Sequence, residues 1–114
     1  VALTITASGT QAATVNTEHT LTTLTGPKTY TLHVDCNALT HGTGTADELE
    51  LRIKANVLSG GTERVVYMAT FVGAQDIPVK ISLPVPVPQT ATVTLKQTAG
   101  TGRSFPWAVT TPDS

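Results

Sequence analysis

Only one cysteine, Cys36, occurs in the 114 residues. No intramolecular disulfide can form, and a cysteine-based zinc site has too few ligands. Aromatic residues make up 4% of the chain, two Phe, two Tyr and one Trp. That is thin material for a carbohydrate platform or a base-stacking surface. Charge is scarce as well, at 13%, with seven basic against eight acidic residues. The near-balance removes the basic footprint that nucleic-acid binding needs. No run approaches eighteen consecutive apolar residues, so no membrane-spanning helix is expected. The first residues, ValAlaLeuThrIleThr, lack both a basic region and a long apolar stretch, and do not read as a signal peptide.

Threonine is abundant, 23 residues or about one in five, and its branched side chain favours strands. Mean hydropathy is +0.07 with 39% hydrophobic residues, apolar enough to build a core in one domain spanning 1–114.

Period-two alternation recurs along the chain. Leu3, Ile5 and Ala7 alternate with Thr4, Thr6 and Ser8, as in a half-buried strand, and Ser8-Gly9-Thr10 signals a turn. Weaker strands are expected around Ala13–Val15 and Leu21–Leu24, before a Gly26-Pro27 turn. Tyr30, Leu32, Val34 and Cys36 share a face opposite His33 and Asp35. Residues 38–47 read as a flexible loop. The clearest strand has Leu49, Leu51, Ile53, Ala55 and Val57 on one face and Glu48, Glu50, Arg52, Lys54 and Asn56 on the other. Leu58–Thr62 is a hairpin signal leading into 64–72. That strand is apolar on both faces, as in a central or covered strand. From Ile77 to Val87 alternate residues are apolar. Pro84, Pro86 and Pro88 cannot donate to a ladder, so this stretch must be an edge strand or an extended arm. Residues 91–96 and 105–109 supply the remaining strands. The expected fold is all-β, an antiparallel β-sandwich or small β-barrel of seven to eight strands.

Constellations for chemistry are weak. His33 and Asp35 point the same way but lack a third partner. His41 and Asp47 flank a Gly/Thr-rich loop, a poor place to preorganise catalysis. His19 has no visible partner. Cys36 falls on an apolar face, where a buried small hydrophobe is the simplest reading. No GlyXaaSerXaaGly elbow is present, and neither Gly-Thr-Gly sequence has the surroundings of a phosphate loop. No enzyme activity, cofactor or metal is therefore expected. Arg103, Phe105 and Trp107 are residue types that concentrate at interface hot spots, with Trp107 equally suited to capping the core.

Several segments carry a resemblance: AlaLeuThrIleThrAlaSerGlyThrGln (2–11), GluLeuArgIleLys (50–54), ValLeuSerGlyGlyThr (57–62), ProValProValPro (84–88) and ThrLeuLysGlnThrAlaGlyThrGlyArgSerPheProTrp (94–107). Over almost the whole chain these resemble a family of small virion structural proteins of tailed bacteriophages and prophages. The loop at 40–47, carrying His41, is longer than the family's pattern. The resemblance implies a head decoration or cement protein that is made in the host bacterial cytoplasm and sits on the capsid surface. Its implied partners are the major capsid protein and further copies of itself, trimers being the usual arrangement by analogy. Neither nucleic acid nor membrane is implied. Expected contact elements are arms at 1–8, 84–88 and 103–114, with Leu3, Ile5, Pro84, Pro86, Arg103, Phe105 and Trp107 as interface candidates. The rival expectations are a tail, neck or fibre component, and a carbohydrate-binding adhesion module using Trp107 and Tyr67.

Overall fold

The alternating apolar positions resolve into nine strands: β1 (Leu3–Ala12), β2 (Glu18–Thr25), β3 (Lys28–Asp35), β4 (Glu48–Ala55), β5 (Arg64–Val72), β6 (Val79–Ile81), β7 (Val85–Val87), β8 (Thr90–Ala99) and β9 (Ser104–Pro112). They come from a computed structural model that describes residues 2–112. Two antiparallel sheets pack face to face as a β-sandwich. One has the order β1-β9-β3, with β6 and β7 end to end along the free side of β3. The other has the order β2-β8-β4-β5. No closed barrel forms.

The period-two pattern explains the core. Tyr30, Leu32 and Val34 of β3 face Leu49, Leu51 and Ile53 of β4 and Val93 and Leu95 of β8, all nearly inaccessible to water. Phe105 and Val109 of β9 complete the layer. β4 is the cleanest case: its burial alternates at every residue from Glu48 to Ala55.

Four expectations need correction. The turn signal at Ser8-Gly9-Thr10 does not break β1, which runs on to Ala12 against β9 with only a bulge between Ile5 and Ala7. β1 is an edge strand, so Leu3 and Ile5 lie on its outer side, 62% and 66% exposed, not half-buried. β5 is not central: it borders β4 alone and leaves its outer face uncovered. The apolar positions of 77–87 do not share one face. Ile77, Val79, Ile81 and Leu83 are exposed, whereas Val85 and Val87 are core. The phase slips because Leu83 and Pro84 both point outward. Ser82 bridges this slip. Its amide donates to Leu32 O (2.8 Å), and its hydroxyl accepts from Leu32 N (2.9 Å). The proline edge itself is where the chemistry of proline requires it, on the outer side of β3.

Candidate interaction surfaces

Asp47 ends the 38–47 loop just before β4, and its side chain is buried. Its Oδ2 accepts from Thr40 N (2.9 Å), Thr40 Oγ1 (3.1 Å) and Arg103 Nε (2.9 Å), and its Oδ1 accepts from Thr101 N (2.9 Å). Its main chain joins in: Asp47 N donates to Thr40 O, and Gly73 N donates to Asp47 O. Burial alone would raise this carboxyl. The Thr101 and Thr40 amides, Arg103 and the Thr40 hydroxyl outweigh burial and hold it below the ordinary carboxylate range. The carboxylate thus fastens its own loop to the 100–103 loop, and the Asp47 carbonyl adds the loop after β5 at Gly73. Gly100 is required beside the carboxylate. Its φ is +87°, and a Cβ there would run into Asp47 Oδ1. Gln97, fully buried, extends the knot. Its amide donates to Ala99 O and Thr101 O, and its Oε1 accepts from Arg103 N.

The sequence reading missed this knot. It treated Asp47 as the flank of a flexible loop and Arg103 as an interface residue. The available signal was an acid at a loop–strand junction and an arginine after Gly-Thr-Gly, which only the fold brings together across 56 residues.

The outer face of the β2-β8-β4-β5 sheet is held by threonine hydroxyls donating to glutamates. Thr92 donates to Glu63 (2.7 Å), Thr94 to Glu18 (2.7 Å) and Thr98 to Glu48 (2.9 Å). Glu18 is held below the usual range chiefly by the Thr94 hydroxyl and then by Lys54, 3.0 Å away. Arg52 pairs with Glu50 on the same strand at 2.7 Å. Thr92, Thr94 and Thr98, all on β8, thus bind carboxylates on the sheet surface.

The remaining sequence candidates are scattered. His33 and Asp35 do share the outer face of β3, where His33 Nε2 meets Thr110 Oγ1 (3.0 Å) and Asp35 accepts from Asn37 N (3.0 Å). His19 Nε2 accepts from Thr14 N (3.0 Å) and closes a turn. His41 lies against Gly73. Cys36 is buried, and burial pushes its thiol up to about 11. No three His, Cys, Asp or Glu side chains among the described residues converge as metal ligands. No helix of the described residues is long and apolar enough to cross a membrane.

Of the interface candidates, Leu3, Ile5, Pro84 and Pro86 are exposed. Phe105 has no exposed surface, and Trp107 packs its ring against Gly9 and the core cluster. Arg103 is committed to Asp47 and Thr40. Residues 104–112 are not an arm: they form a strand hydrogen-bonded on both sides, to β1 and to β3. Val1 and residues 113–114 lie outside the described residues.

What the surface offers is apolar. Among the described residues twelve large hydrophobic side chains are exposed, ten of them from Val57 to Leu83. Those on the strands split between the two outer faces at the lateral edge where β5 of one sheet lies beside β6 of the other: Met68 and Val72 stand with Arg52 and Glu48 on one sheet, Val79 and Ile81 with Asp35 and His33 on the other. Lys80 of β6 reaches over the Phe71 ring of β5, 5.0 Å from its centre. Beside one end of this edge is an open apolar groove of about 570 Å³, floored by Ala55 and Val87 and walled by Val57, Val66, Pro27 and Pro86. The opposite lateral edge, β1 over β2, exposes Leu3 and Ile5. The chain matches no family model, and no curated protein or solved structure is similar to it.

Proposed function

We propose that this chain is a non-enzymatic structural protein of a tailed-phage virion, a head decoration protein that binds the major capsid protein and stabilises the head. The observation that carries this reading is the set of large apolar side chains left exposed, Leu3 and Ile5 on β1 and ten more from Val57 to Leu83. Large exposed apolar patches mark surfaces made to be covered. The resemblance of residues 2–11, 50–54, 57–62, 84–88 and 94–107 to phage virion proteins suggests the kind of particle. Leu3 and Ile5 of β1 and the Pro84–Pro86 edge are the contact elements toward the shell, where many modest contacts sum through multivalency.

The test is copy number per purified virion, measured by quantitative mass spectrometry against the major capsid protein. A ratio near one to one is expected. A ratio below about one in ten moves the protein to the neck, tail or fibres, and absence from the particle discards the virion reading. Replacing Leu3 and Ile5 together by Ser should lower occupancy on heads without changing thermal stability, because both side chains are already in water.

A further inference from the structure

The apolar groove beside the start of β5 reaches down to the core, because Ala55 and Val87 on its floor are core residues. Its surroundings carry one sign of charge. Lys28 is the one charged residue lining it, and Arg64 stands across from Ala55 on the neighbouring strand. Among the described residues neither cation has an ion-pair partner. Glu63, next to Arg64 in sequence, is turned away to the Thr90 and Thr92 hydroxyls. An occupant that matches this groove presents a large apolar side chain next to a carboxylate.

The chain carries such an element itself. Of the large apolar side chains exposed among the described residues, Ile77 alone has an acid beside it in sequence, Asp76. Both lie in the bend between β5 and β6, and the Asp76 carboxylate has no partner among the described residues. Val72 and Val79, on either side of the bend, belong to flat sheet faces, which cannot enter a groove; a bend can. The groove lies where β5 starts, at the Ala55–Arg64 pair, and the bend follows Val72, where β5 ends. Along the strand that is roughly 25 Å, so the bend cannot fill the groove of its own subunit.

We infer that the Asp76–Ile77 bend of one copy seats in the groove of a second copy, with Ile77 over Ala55 and Val87 and Asp76 toward Lys28 and Arg64. The groove, about 570 Å³, is ample for one isoleucine and the main chain beside it. Ile77 leaves water and covers apolar surface that water now wets. Asp76 meets cations and no acid. The two surfaces differ, so each copy gives a bend and receives one. Such a contact is heterologous: it runs head to tail and either closes into a ring or continues as a chain. The trimer expected by analogy is one such ring. Leu3 and Ile5, on the opposite lateral edge, stay free.

Sedimentation velocity between about 1 and 100 μM tests the contact on wild type, Ile77→Ser, Val66→Glu and a mixture of the two variants. Wild type should associate as its concentration rises. Ile77→Ser removes the apolar side chain of the bend and keeps the groove. Val66→Glu keeps the bend and puts an acid on the groove wall, facing Asp76. Each alone should associate at least about tenfold more weakly than wild type. Both side chains are exposed, so the subunit should stay folded, and thermal unfolding followed by circular dichroism checks it. The mixture is the decisive arm. The Val66→Glu copy still has a bend and the Ile77→Ser copy still has a groove, so the two should join as a pair and stop there. A wild type that stays monomeric at 100 μM overturns the inference and leaves the groove to a different occupant. So does association that Ile77→Ser leaves unchanged, or a mixture no more associated than its separate components. None of these readings depends on the virion assignment, which can fail or hold separately.

Discussion

Replacing Asp47 by Ala removes the carboxylate that ties the 38–47 loop to the 100–103 loop. Its side chain is 1% exposed, and that of its partner Arg103 is 33% exposed. The amides of Thr40 and Thr101 would lose their acceptors, at about 1 kcal/mol or more each. Breaking a fully buried ion pair costs about 3–5 kcal/mol. Arg103, one-third exposed, can rehydrate its guanidinium, so the charge contributes well under that. The sum is about 3 kcal/mol. For a chain of this length each kcal/mol moves Tm by about 4 °C, so a fall of about 12 °C is expected. Scanning calorimetry at pH 7 reads it. The pH dependence has a definite sign. The folded carboxyl titrates below its unfolded value of about 3.9. Asp47 therefore contributes its full share above pH 4 and loses it as pH falls through the lower, folded value. Asp47→Asn keeps one acceptor and does not titrate. The gap in stability between wild type and Asp47→Asn should be flat from pH 5 to 8 and shrink below pH 4. A fall in Tm under about 3 °C for Asp47→Ala, or a gap that widens with acid, would refute the role assigned to this carboxylate.

Three further outcomes follow from the same geometry. Gly100→Ala, which drives a Cβ into Asp47 at a φ of +87°, should destabilise more than Gly60→Ala, where φ is +76° but the space is open; equal losses of denaturation midpoint would show that the backbone angle alone sets the cost. Phe105→Ala should cost about 3–5 kcal/mol, and deletion of 104–112 should leave no cooperative unfolding transition, because the strand between β1 and β3 is gone. Cys36, with a thiol at about 11, should resist iodoacetamide at pH 8 until denaturant is added; rapid stoichiometric labelling of the native protein would contradict its burial.

Much of the fold was readable because burial follows a period of two. The β4 pattern from Glu48 to Ala55 and the β4–β5 hairpin appear where the alternation puts them, and the prolines mark an edge, but Val57, expected on the β4 core face, lies past the strand in water and Asn56 is buried. The misreadings share a cause. Period two says that a strand has two faces, but not whether its neighbours cover them. β5 looks central because both faces are apolar, and it is an edge. Leu3 and Ile5 alternate as a buried face does, and they face water. In 77–87 the alternation is perfect in sequence, yet the backbone slips at Leu83-Pro84, and only the hydroxyl of Ser82, bonded to Leu32, marks where. The polar knot was illegible for a different reason. Asp47, Gln97 and Arg103 are unremarkable singly, and their value comes from burial, which non-local strand pairing alone creates.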